Sequence, residues 1–352
     1  MDRLLILAPN WLGDAVMALP AIADVHRASP ATAITVAARP AIAPLFGLVP
    51  HVQDVVVLER SPLGSRYDTA LVLPNSFRSA LIVSRDGIPE RWGYRTQWRG
   101  PLLTRAIDRA PAGLHQVEYY QQLVHALGFP NGPVDPTLDV PAAIRAAGAD
   151  ALVRAGWDRQ SPLVALAPGA AYGGAKRWPP EYFAELARAL AGDGVVSVMV
   201  GSAADAATGK EIESYGGVAG RMLNVIGATD LPALAGVFVH CRALVSNDSG
   251  AMHLGAALGV RVTAMFGPTD ERVTGPRGEV RLKADPTVSG STVSGRVRLQ
   301  PDRGRGQPDR GHAVLTYPVW CRPCLLRECP LDHRCMRGVG VDAVLAEARR
   351  TL

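Results

Sequence analysis

A single acidic residue, Asp14, stands where the first apparent strand of the sequence turns into a helix. The strand is LLILA, the helix begins AVMALPA, and PNWLGD lies between them. A carboxylate at such a turn can act as a general base that takes a proton from an attacking hydroxyl. It can also cap the helix that follows, because Asp is a favoured N-cap residue. From the residues alone both alternatives stay open.

A second loop with chemical potential is SNDSGAMHLGAALG, which follows an apolar strand in the second half of the chain. We predict that Asp248 or Ser249 caps a helix beginning near Gly250. The free N–H groups of its first turn, together with the helix dipole, form an anion site, and Gly250 lets a phosphate approach the backbone. His253, one turn further, either faces the same end or packs inside the helix layer.

Two more loops carry groups that suit a nucleotide sugar. PGAAYGGAKRWP has an open, glycine-rich backbone, and its Lys176 can place a positive charge on a diphosphate. The alternative is a plain surface lysine. Asp205, in GSAAD, either accepts hydrogen bonds from sugar hydroxyls or caps the helix that follows it.

Alternating strands and helices must position these loops. Short, nearly continuous apolar segments spaced by helical patterns are typical of parallel sheets covered on both faces. The fold class is therefore α/β, with two doubly wound Rossmann-like domains, and ligands are expected at the carboxyl ends of the strands. We place the domains at 1–150 and 160–335, with the boundary between about 135 and 160, and a C-terminal helix at 340–352. The predicted strands are 4–8, 33–38, 54–58, 69–73, 163–167, 195–200, 243–247 and 262–266.

Several common site motifs are missing from the sequence. The first strand is not followed by GxGxxG, and neither GxxxxGK[ST] nor GxSxG occurs. These absences disfavour a Rossmann dehydrogenase, a P-loop NTPase and an α/β-hydrolase.

Composition indicates an ordinary soluble protein. The chain has 352 residues, of which 48% are hydrophobic and 20% charged. No apolar run reaches the length of a membrane span. The start, MDRLLILAPNW, has too short an apolar core for a signal peptide. We therefore expect a cytoplasmic protein.

The positive charge is concentrated in one unusual segment. The formal net charge is +5, and residues 277–310 hold eight Arg or Lys and four Asp or Glu, which leaves the rest of the chain near +1. The Gly-, Pro- and Arg-rich stretch 277–313 is interpreted as a low-complexity insertion, disordered or loosely looped. The alternative is an Arg-rich strip that touches phosphates or an anionic membrane. A metal-dependent nucleic-acid-binding protein is disfavoured because the folded body is nearly neutral.

Four cysteines form a compact cluster near the C-terminus, in WCRPCLLRECPLDHRCM at 320–336. Four thiolates this close could hold a structural zinc ion or an iron–sulfur cluster. The spacing differs from the usual two-knuckle zinc pattern, so reduced packing cysteines or redox pairing stay open. Cys241 stands alone and is expected to be buried. The clustered residues are Cys321, Cys324, Cys329 and Cys335.

The motifs taken in order resemble a known family. NWLGDAVMALPA, LPNSFRSAL, PGAAYGGAKRWP, GSAAD and SNDSGAMHLGAALG are similar to the ADP-heptose:lipopolysaccharide heptosyltransferases, most of all to the members that extend the first heptose of the inner core. The resemblance covers roughly 1–270 and resumes at 317–352, and the insertion departs from it. It implies a GT-B fold, with two Rossmann-like domains facing a central cleft. It also implies that the first domain binds the acceptor and the second the nucleotide sugar.

The resemblance also assigns roles and partners. It implies that Asp14 is the general base, and that Lys176 with the N–H groups at Ser249 and Gly250 stabilises the departing ADP. The donor would be ADP-heptose, transferred with inversion to a lipid A–Kdo–heptose acceptor, with no cofactor or metal required for catalysis. Family members that act on an acceptor lacking the first heptose are the alternative, as are other GT-B nucleotide-sugar enzymes.

Weaker expectations concern the acceptor and the membrane. Asn10 and Trp11 shape the acceptor side in this interpretation, and Arg78 pairs with acidic acceptor groups. Peripheral attachment at the inner face of the membrane would use exposed basic residues, and a solvated charged surface is the alternative. Those basic residues are Arg85, Arg91, Arg95 and Arg99.

Overall fold

The computed structural model describes residues 1–58, 63, 66–217, 220–283, 300–302, 311–350 and 352. These residues form two compact units, Met1–Asp139 and Val140–Leu352. Each unit contains a parallel or largely parallel sheet with helices between successive strands. The predicted α/β class is therefore confirmed.

The described strands of the first unit form one parallel sheet. They are β1 (Arg3–Leu7), β2 (Ala33–Ala38), β3 (Asp54–Val57), β4 (Thr69–Val72), β5 (Glu90–Tyr94) and β6 (Arg105–Ile107). Their order across the sheet is β3-β2-β1-β4-β5-β6. Leu7 of β1 lies opposite Val72 of β4. The loops that follow these two strands therefore emerge side by side.

Helices cover this sheet. They are α1 (Leu12–Met17), α2 (Leu19–Ala28), α3 (Ala43–Phe46), α4 (Phe77–Arg85) and α5 (Gln116–Ala126). Leu5 and Val72 of the sheet share a buried cluster with Val83 of α4. Burial of both sheet faces explains why the central strands β1, β2 and β4 are continuous apolar runs.

The second unit has a larger sheet in the described residues. Its strands are β7 (Leu163–Ala167), β8 (Val196–Met199), β9 (Met222–Asn224), β10 (Cys241–Asn247), β11 (Arg261–Phe266), β12 (Glu279–Lys283), β13 (Gln300–Asp302) and β14 (His312–Thr316). The order is β13-β12-β14-β11-β10-β7-β8-β9, and only the described β12–β13 pair is antiparallel. All eight strands predicted from apolar runs are present across the two sheets.

The helices of the second unit complete its layers. They are α6 (Ala142–Arg154), α7 (Pro180–Gly192), α8 (Ala206–Ser214), α9 (Leu231–Phe238), α10 (Gly250–Ala257), α11 (Glu271–Thr274), α12 (Arg334–Arg337) and α13 (Val341–Arg349). Phe183 and Leu186 of α7 pack with Val245 of β10 and Val344 of α13 in one buried cluster. The predicted C-terminal helix is thus packed into this unit.

The division between the units lies earlier than residue 150, the end given to the first domain by the sequence. The chain divides between Asp139 and Val140. Helix α6 belongs to the second unit because it packs against α9. Its Gly148 approaches so closely that a β-carbon there would lie 2.1 Å from the carbonyl carbon of Gly236.

The segment 277–313 is not wholly irregular, as the sequence had suggested. Strand β12 pairs in parallel with β14, and β13 pairs with β12, so the described parts of the segment extend the second sheet. The rest of the Arg-rich stretch, 284–299 and 303–310, lies outside the described residues.

Within the described ranges, no helix has both the length and the apolar character needed to cross a membrane.

Candidate active site

Asp14 lies in the first turn of α1, directly after β1 ends. The N-cap residue of α1 is Trp11, which has extended backbone angles and makes no side-chain capping bond. Asp14 is the third residue of the helix, so it does not occupy the N-cap position that the capping alternative requires. Its side chain is partly exposed, while Asn10 and Trp11 beside it are exposed. The structure thus places these three residues together at the carboxyl end of β1.

Arg78 lies at the end of the neighbouring strand. Ser76 caps α4 by accepting a hydrogen bond from the Ser79 N–H at 3.2 Å. Arg78, in the first turn of that helix, is exposed. Because β1 and β4 are adjacent and parallel, Arg78 and Asp14 belong to the same edge of the sheet.

A polar network that sequence reasoning missed lies behind these loops. Asn75 Nδ2 donates to the Tyr119 hydroxyl at 2.9 Å, and the Tyr94 hydroxyl donates to the Tyr119 carbonyl at 2.7 Å. Burial, and then the nearby charge of Asp14, raise the pKa of Tyr120. Asp14 therefore lies close to a neutral phenol. The sequence signal that could have pointed to Asn75 is the Pro-Asn dipeptide that the loops after β1 and β4 share.

Arg99 was expected to be exposed, and that expectation is wrong. Its side chain is fully buried, donating from Nε to the Tyr94 carbonyl at 2.8 Å and from Nη1 to the Ser79 hydroxyl and the Pro74 carbonyl. Burial lowers the pKa of Arg99 to about 10. The cation therefore holds the loop after β4 from inside.

Arg91 was also expected to be exposed for membrane attachment, but it is only partly exposed. Its guanidinium donates to the carbonyls of Leu102 and Ile88 at 2.7 and 2.6 Å. Arg85 and Arg95 are exposed, as the sequence suggested.

In the second unit, Lys176 and Asp248 meet directly. Lys176 Nζ lies 2.5 Å from Asp248 Oδ2, and these side chains are only 12% and 5% exposed. The Thr269 hydroxyl donates to the same carboxylate oxygen at 2.6 Å. Lys176 is therefore not a plain surface lysine, and Asp248 holds it in place. Thr269 was missed, although its loop, GPTDE, follows β11.

Asn247 fixes the loop that carries Lys176. Its Nδ2 donates to the Pro168 carbonyl at 2.7 Å, and its Oδ1 accepts from the Trp178 N–H at 3.0 Å. Trp178 is almost completely buried. The last residue of β10 thus joins the loop after β7 to the loop before α10.

The helix predicted near Gly250 is confirmed, with Ser249 as its N-cap residue. The Ser249 hydroxyl makes no capping bond and lies 3.2 Å from the Ser246 hydroxyl. The first-turn N–H groups of α10 have no partners within the helix, as at any helix start. The side chain of His253, in α10, is buried, so the alternative that it packs inside the helix layer describes its environment better.

The carboxylate of Asp205 is buried and is hydrogen-bonded within its own turn. Its Oδ2 accepts from the N–H and hydroxyl of Ser202 at 2.9 and 2.8 Å, which forms a capping box. A β-carbon on Gly169 would lie 2.4 Å from the Asp205 carboxyl. The capping alternative is thus realised, at a point where Asp205 also adjoins the loop after β7.

The cysteine-rich segment braces the same loop. The Ala175 N–H donates to the Arg327 carbonyl at 2.9 Å, and the Gly174 N–H donates to the Glu328 carboxylate at 3.0 Å. Tyr172 donates to the Leu325 carbonyl at 2.6 Å. Lys176 Nζ and the Arg327 guanidinium lie 4.7 and 5.3 Å from the Tyr172 ring centre. Sequence reasoning did not connect these segments, which are about 150 residues apart.

The four clustered cysteines are free thiols, with Cys335 buried and the other three partly exposed. Burial, followed by the charges of Cys321, Cys329 and Cys324, raises the pKa of Cys335, so the four lie near one another. Across the described ranges, no three His, Cys, Asp or Glu side chains are arranged to hold a metal ion. The structure therefore adds no support for the predicted metal. Cys241 is buried, as predicted, and burial raises its pKa to about 12.

The two units carry complementary chemistry. A carboxylate at the carboxyl edge of the first sheet can accept a proton, while a held lysine and a helix N-terminus in the second unit can receive an anion. Two doubly wound units of this kind in one chain are the architecture of GT-B glycosyltransferases.

Comparison with known proteins identifies the family. The sequence profile of glycosyltransferase family 9 (heptosyltransferase) matches residues 56–284, and the chain belongs to this family. Lipopolysaccharide heptosyltransferase 2 of Escherichia coli K12 is 32% identical over 300 residues, which span 78% of this chain and 85% of that protein. Lipopolysaccharide heptosyltransferase 1 of Pseudomonas aeruginosa is 29% identical over 314 residues, or 80% of this chain and 84% of that protein.

A solved structure agrees over the full length. The structure of E. coli ADP-heptose lps heptosyltransferase II matches with a TM-score of 0.79 at 28% identity, covering 100% of this chain and 98% of the other. The predicted GT-B fold class and the predicted glycosyltransferase class are both confirmed.

Proposed function

We propose that this glycosyltransferase moves L-glycero-D-manno-heptose from ADP-heptose to the first heptose of the lipopolysaccharide inner core, with inversion at the anomeric carbon. The similarity to heptosyltransferase 2 over most of both chains supports this acceptor. The observation that carries the mechanism is Asp14, a partly exposed carboxylate at the end of β1 in a helix whose N-cap is another residue.

In this mechanism an acceptor hydroxyl attacks the anomeric carbon of the donor while the bond from that carbon to the diphosphate oxygen breaks. Asp14 takes the proton of the attacking hydroxyl, and ADP leaves with the bonding electrons. The neighbouring Tyr120 stays protonated, because burial and the Asp14 charge raise its pKa. We expect Asn10, Trp11 and Arg78 to contact the acceptor.

The leaving diphosphate gains negative charge, and the second unit supplies groups to stabilise it. Lys176 provides a positive charge, and the N–H groups at Ser249 and Gly250 lie at the start of α10. Asp248 holds Lys176 in position before the donor arrives. Asp205, buried beside the loop after β7, and His253, buried in α10, are proposed to border the nucleotide-sugar side. Because a lysine and a helix N-terminus supply the positive field, the mechanism needs no divalent cation.

The test compares the wild type with Asp14→Asn in transfer from ADP-heptose to heptosyl-Kdo2-lipid A, in buffer containing EDTA. We expect the variant to lose roughly 10²- to 10⁴-fold in rate, while calorimetry shows unchanged ADP binding. Asp54→Asn, which removes an exposed carboxylate at the start of β3 in the same unit, is the control and should transfer normally.

Other outcomes would redirect the proposal. Equal rates for Asp14→Asn and the wild type would remove Asp14 as the base. Transfer only to the acceptor that lacks the first heptose would assign the heptosyltransferase 1 reaction. Transfer only from a UDP-sugar would assign another donor, and transfer that EDTA abolishes would contradict the metal-free mechanism.

A further inference from the structure

Three large aromatic side chains are exposed at the carboxyl ends of adjacent strands in the first unit. Trp11 after β1, Phe77 after β4 and Trp98 after β5 are 50%, 44% and 95% exposed. These strands are neighbours in the sheet, so their ends are spaced by about 4.8 Å per strand. We call Trp11, Phe77 and Trp98 the aromatic rim. Exposed apolar groups that cluster in this way mark interaction surfaces.

The turn that carries Trp98 is held from both sides. The Arg99 N–H donates to the Thr96 carbonyl at 3.0 Å, and the Thr96 hydroxyl donates to the Asn75 carbonyl at 2.8 Å. The buried Arg99 side chain anchors the end of the turn.

Within this turn, Gln97 and Trp98 have φ angles of 47° and 60°, which non-glycine residues adopt only when the surroundings enforce them. The fold therefore presents the indole to solvent instead of burying it.

The rim is accompanied by positive charge. Arg78 follows Phe77, and the 62%-exposed Arg95 precedes the Trp98 turn. The three loops 8–11, 73–78 and 95–99 contain no Asp or Glu. Asp14 follows the first of these loops on α1, and the largely exposed Asp108 lies 3.7 Å from Arg95. So exposed an ion pair is weak, and Arg95 can exchange Asp108 for another anion at little energetic cost.

We propose that the aromatic rim, with Arg78 and Arg95, docks this protein on the surface of an anionic lipid bilayer. Tryptophan prefers the headgroup region of membranes, and exposed arginines near it bind anionic lipids. The rim shares an edge with Asp14, so docking would bring the sugars of a membrane-anchored acceptor to the base. This last step rests on the proposed function, but the docking itself does not.

The test is co-sedimentation of the full-length chain with vesicles of phosphatidylcholine, with and without phosphatidylglycerol, in the absence of donor and acceptor. We expect binding only to the anionic vesicles, and a loss of about fivefold or more in affinity for Trp98→Ala and for Arg95→Gln. Trp320→Ala is the matched control, because Trp320 is 82% exposed but lies in the second unit. Arg85→Gln, an exposed arginine at the far end of α4, controls for charge.

A second readout separates docking from catalysis. Trp98→Ala should transfer normally to a delipidated, soluble acceptor and poorly to the same acceptor in vesicles. The proposal is overturned if the wild type does not bind anionic vesicles, or if Trp98→Ala and Trp320→Ala bind equally well. It is also overturned if ultracentrifugation shows that Trp98 instead supports a dimer. If transfer fails while vesicle binding follows the rim, the proposed reaction is wrong and the docking surface stands.

Discussion

Lys176 and Asp248 form a nearly buried ion pair, and such pairs are rarely kept for stability alone. Removing one partner leaves an uncompensated buried charge, whereas replacing both by neutral groups is often harmless. Asp248 also accepts from Thr269, which an asparagine could continue to do. We interpret the pair as a device that keeps a cation ready for the donor.

At this residue scale, Lys176→Met alone should destabilise the second unit by about 3 kcal/mol. The double variant Lys176→Met/Asp248→Asn should recover most of that loss, yet still fail to bind ADP. Urea unfolding and calorimetry of both variants measure the two effects. If the double variant binds ADP like the wild type, Lys176 has no role in the donor site.

Arg99 shows how a single residue can mislead. In the sequence it is one of several arginines in a basic stretch, which is typical of a solvated surface. In the structure it lies inside the sheet edge, because backbone carbonyls and the Ser79 hydroxyl surround it. Its partners come from the end of β5, the loop after β4 and helix α4, so its neighbours in the sequence could not reveal its burial.

At the scale of elements, the donor loop is supported by the cysteine-rich segment. The backbone N–H groups of Gly174 and Ala175 bond to Glu328 and Arg327. Gly173 is required at this contact, because its φ is 156° and a β-carbon would lie 2.2 Å from the Arg327 carbonyl oxygen. The segment therefore positions Lys176 without needing to touch the substrate.

Glu328→Ala should weaken ADP binding by about two- to tenfold, since it removes one hydrogen bond that orders the loop. Glu185→Ala, an exposed glutamate on α7, is the control and should leave binding unchanged. Calorimetry measures the affinities, and unfolding midpoints of both variants should stay close to the wild type. Unchanged ADP affinity in Glu328→Ala would show that the hydrogen bond between Gly174 and Glu328 does not affect ADP binding.

At the scale of the whole molecule, no single free energy of unfolding describes the chain, because its two units need not unfold in one step. Stability is therefore considered for each unit.

The first unit contains a pH-sensitive contact. The rings of His26 and His51 stack with centres 5.0 Å apart, and Arg27 lies nearby in an ion pair with Asp24. Burial, then the charges of His26 and Arg27, lower the pKa of His51.

A histidine whose folded pKa is lowered favours its neutral form, so its contribution to stability is present above the unfolded pKa of about 6.5. That contribution is lost as the pH falls from there toward the folded pKa. Hydrogen exchange of α2 amides between about pH 8 and pH 5 should therefore show a steeper loss of protection in the wild type than in His51→Gln. His125→Gln, at an exposed site on α5, should behave like the wild type. Parallel wild-type and His51→Gln curves would contradict this assignment.

Much of the framework followed from local sequence. The eight predicted strands are apolar runs long enough to be buried on both faces, and Asp14, Lys176 and Ser249 stand where such runs end. Six described strands were not predicted. Four of them lack this signal, because β5 reads ERWGY and β6, β9 and β13 have three residues each. The other two, β12 and β14, lie in or at the end of the segment 277–313, which was interpreted as irregular.

The sequence by itself determined the fold class and the strand ends at which the polar groups gather, because apolar periodicity and turn residues are properties of consecutive positions. Only the tertiary structure decided which groups pair. Lys176 meets Asp248 across 72 residues, and Gly174 meets Glu328 across 154. It also decided that Asp205 bonds to its own turn, that Arg99 is buried and that Trp98 is exposed. These outcomes depend on strand order and on the packing of distant loops, which no local pattern specifies.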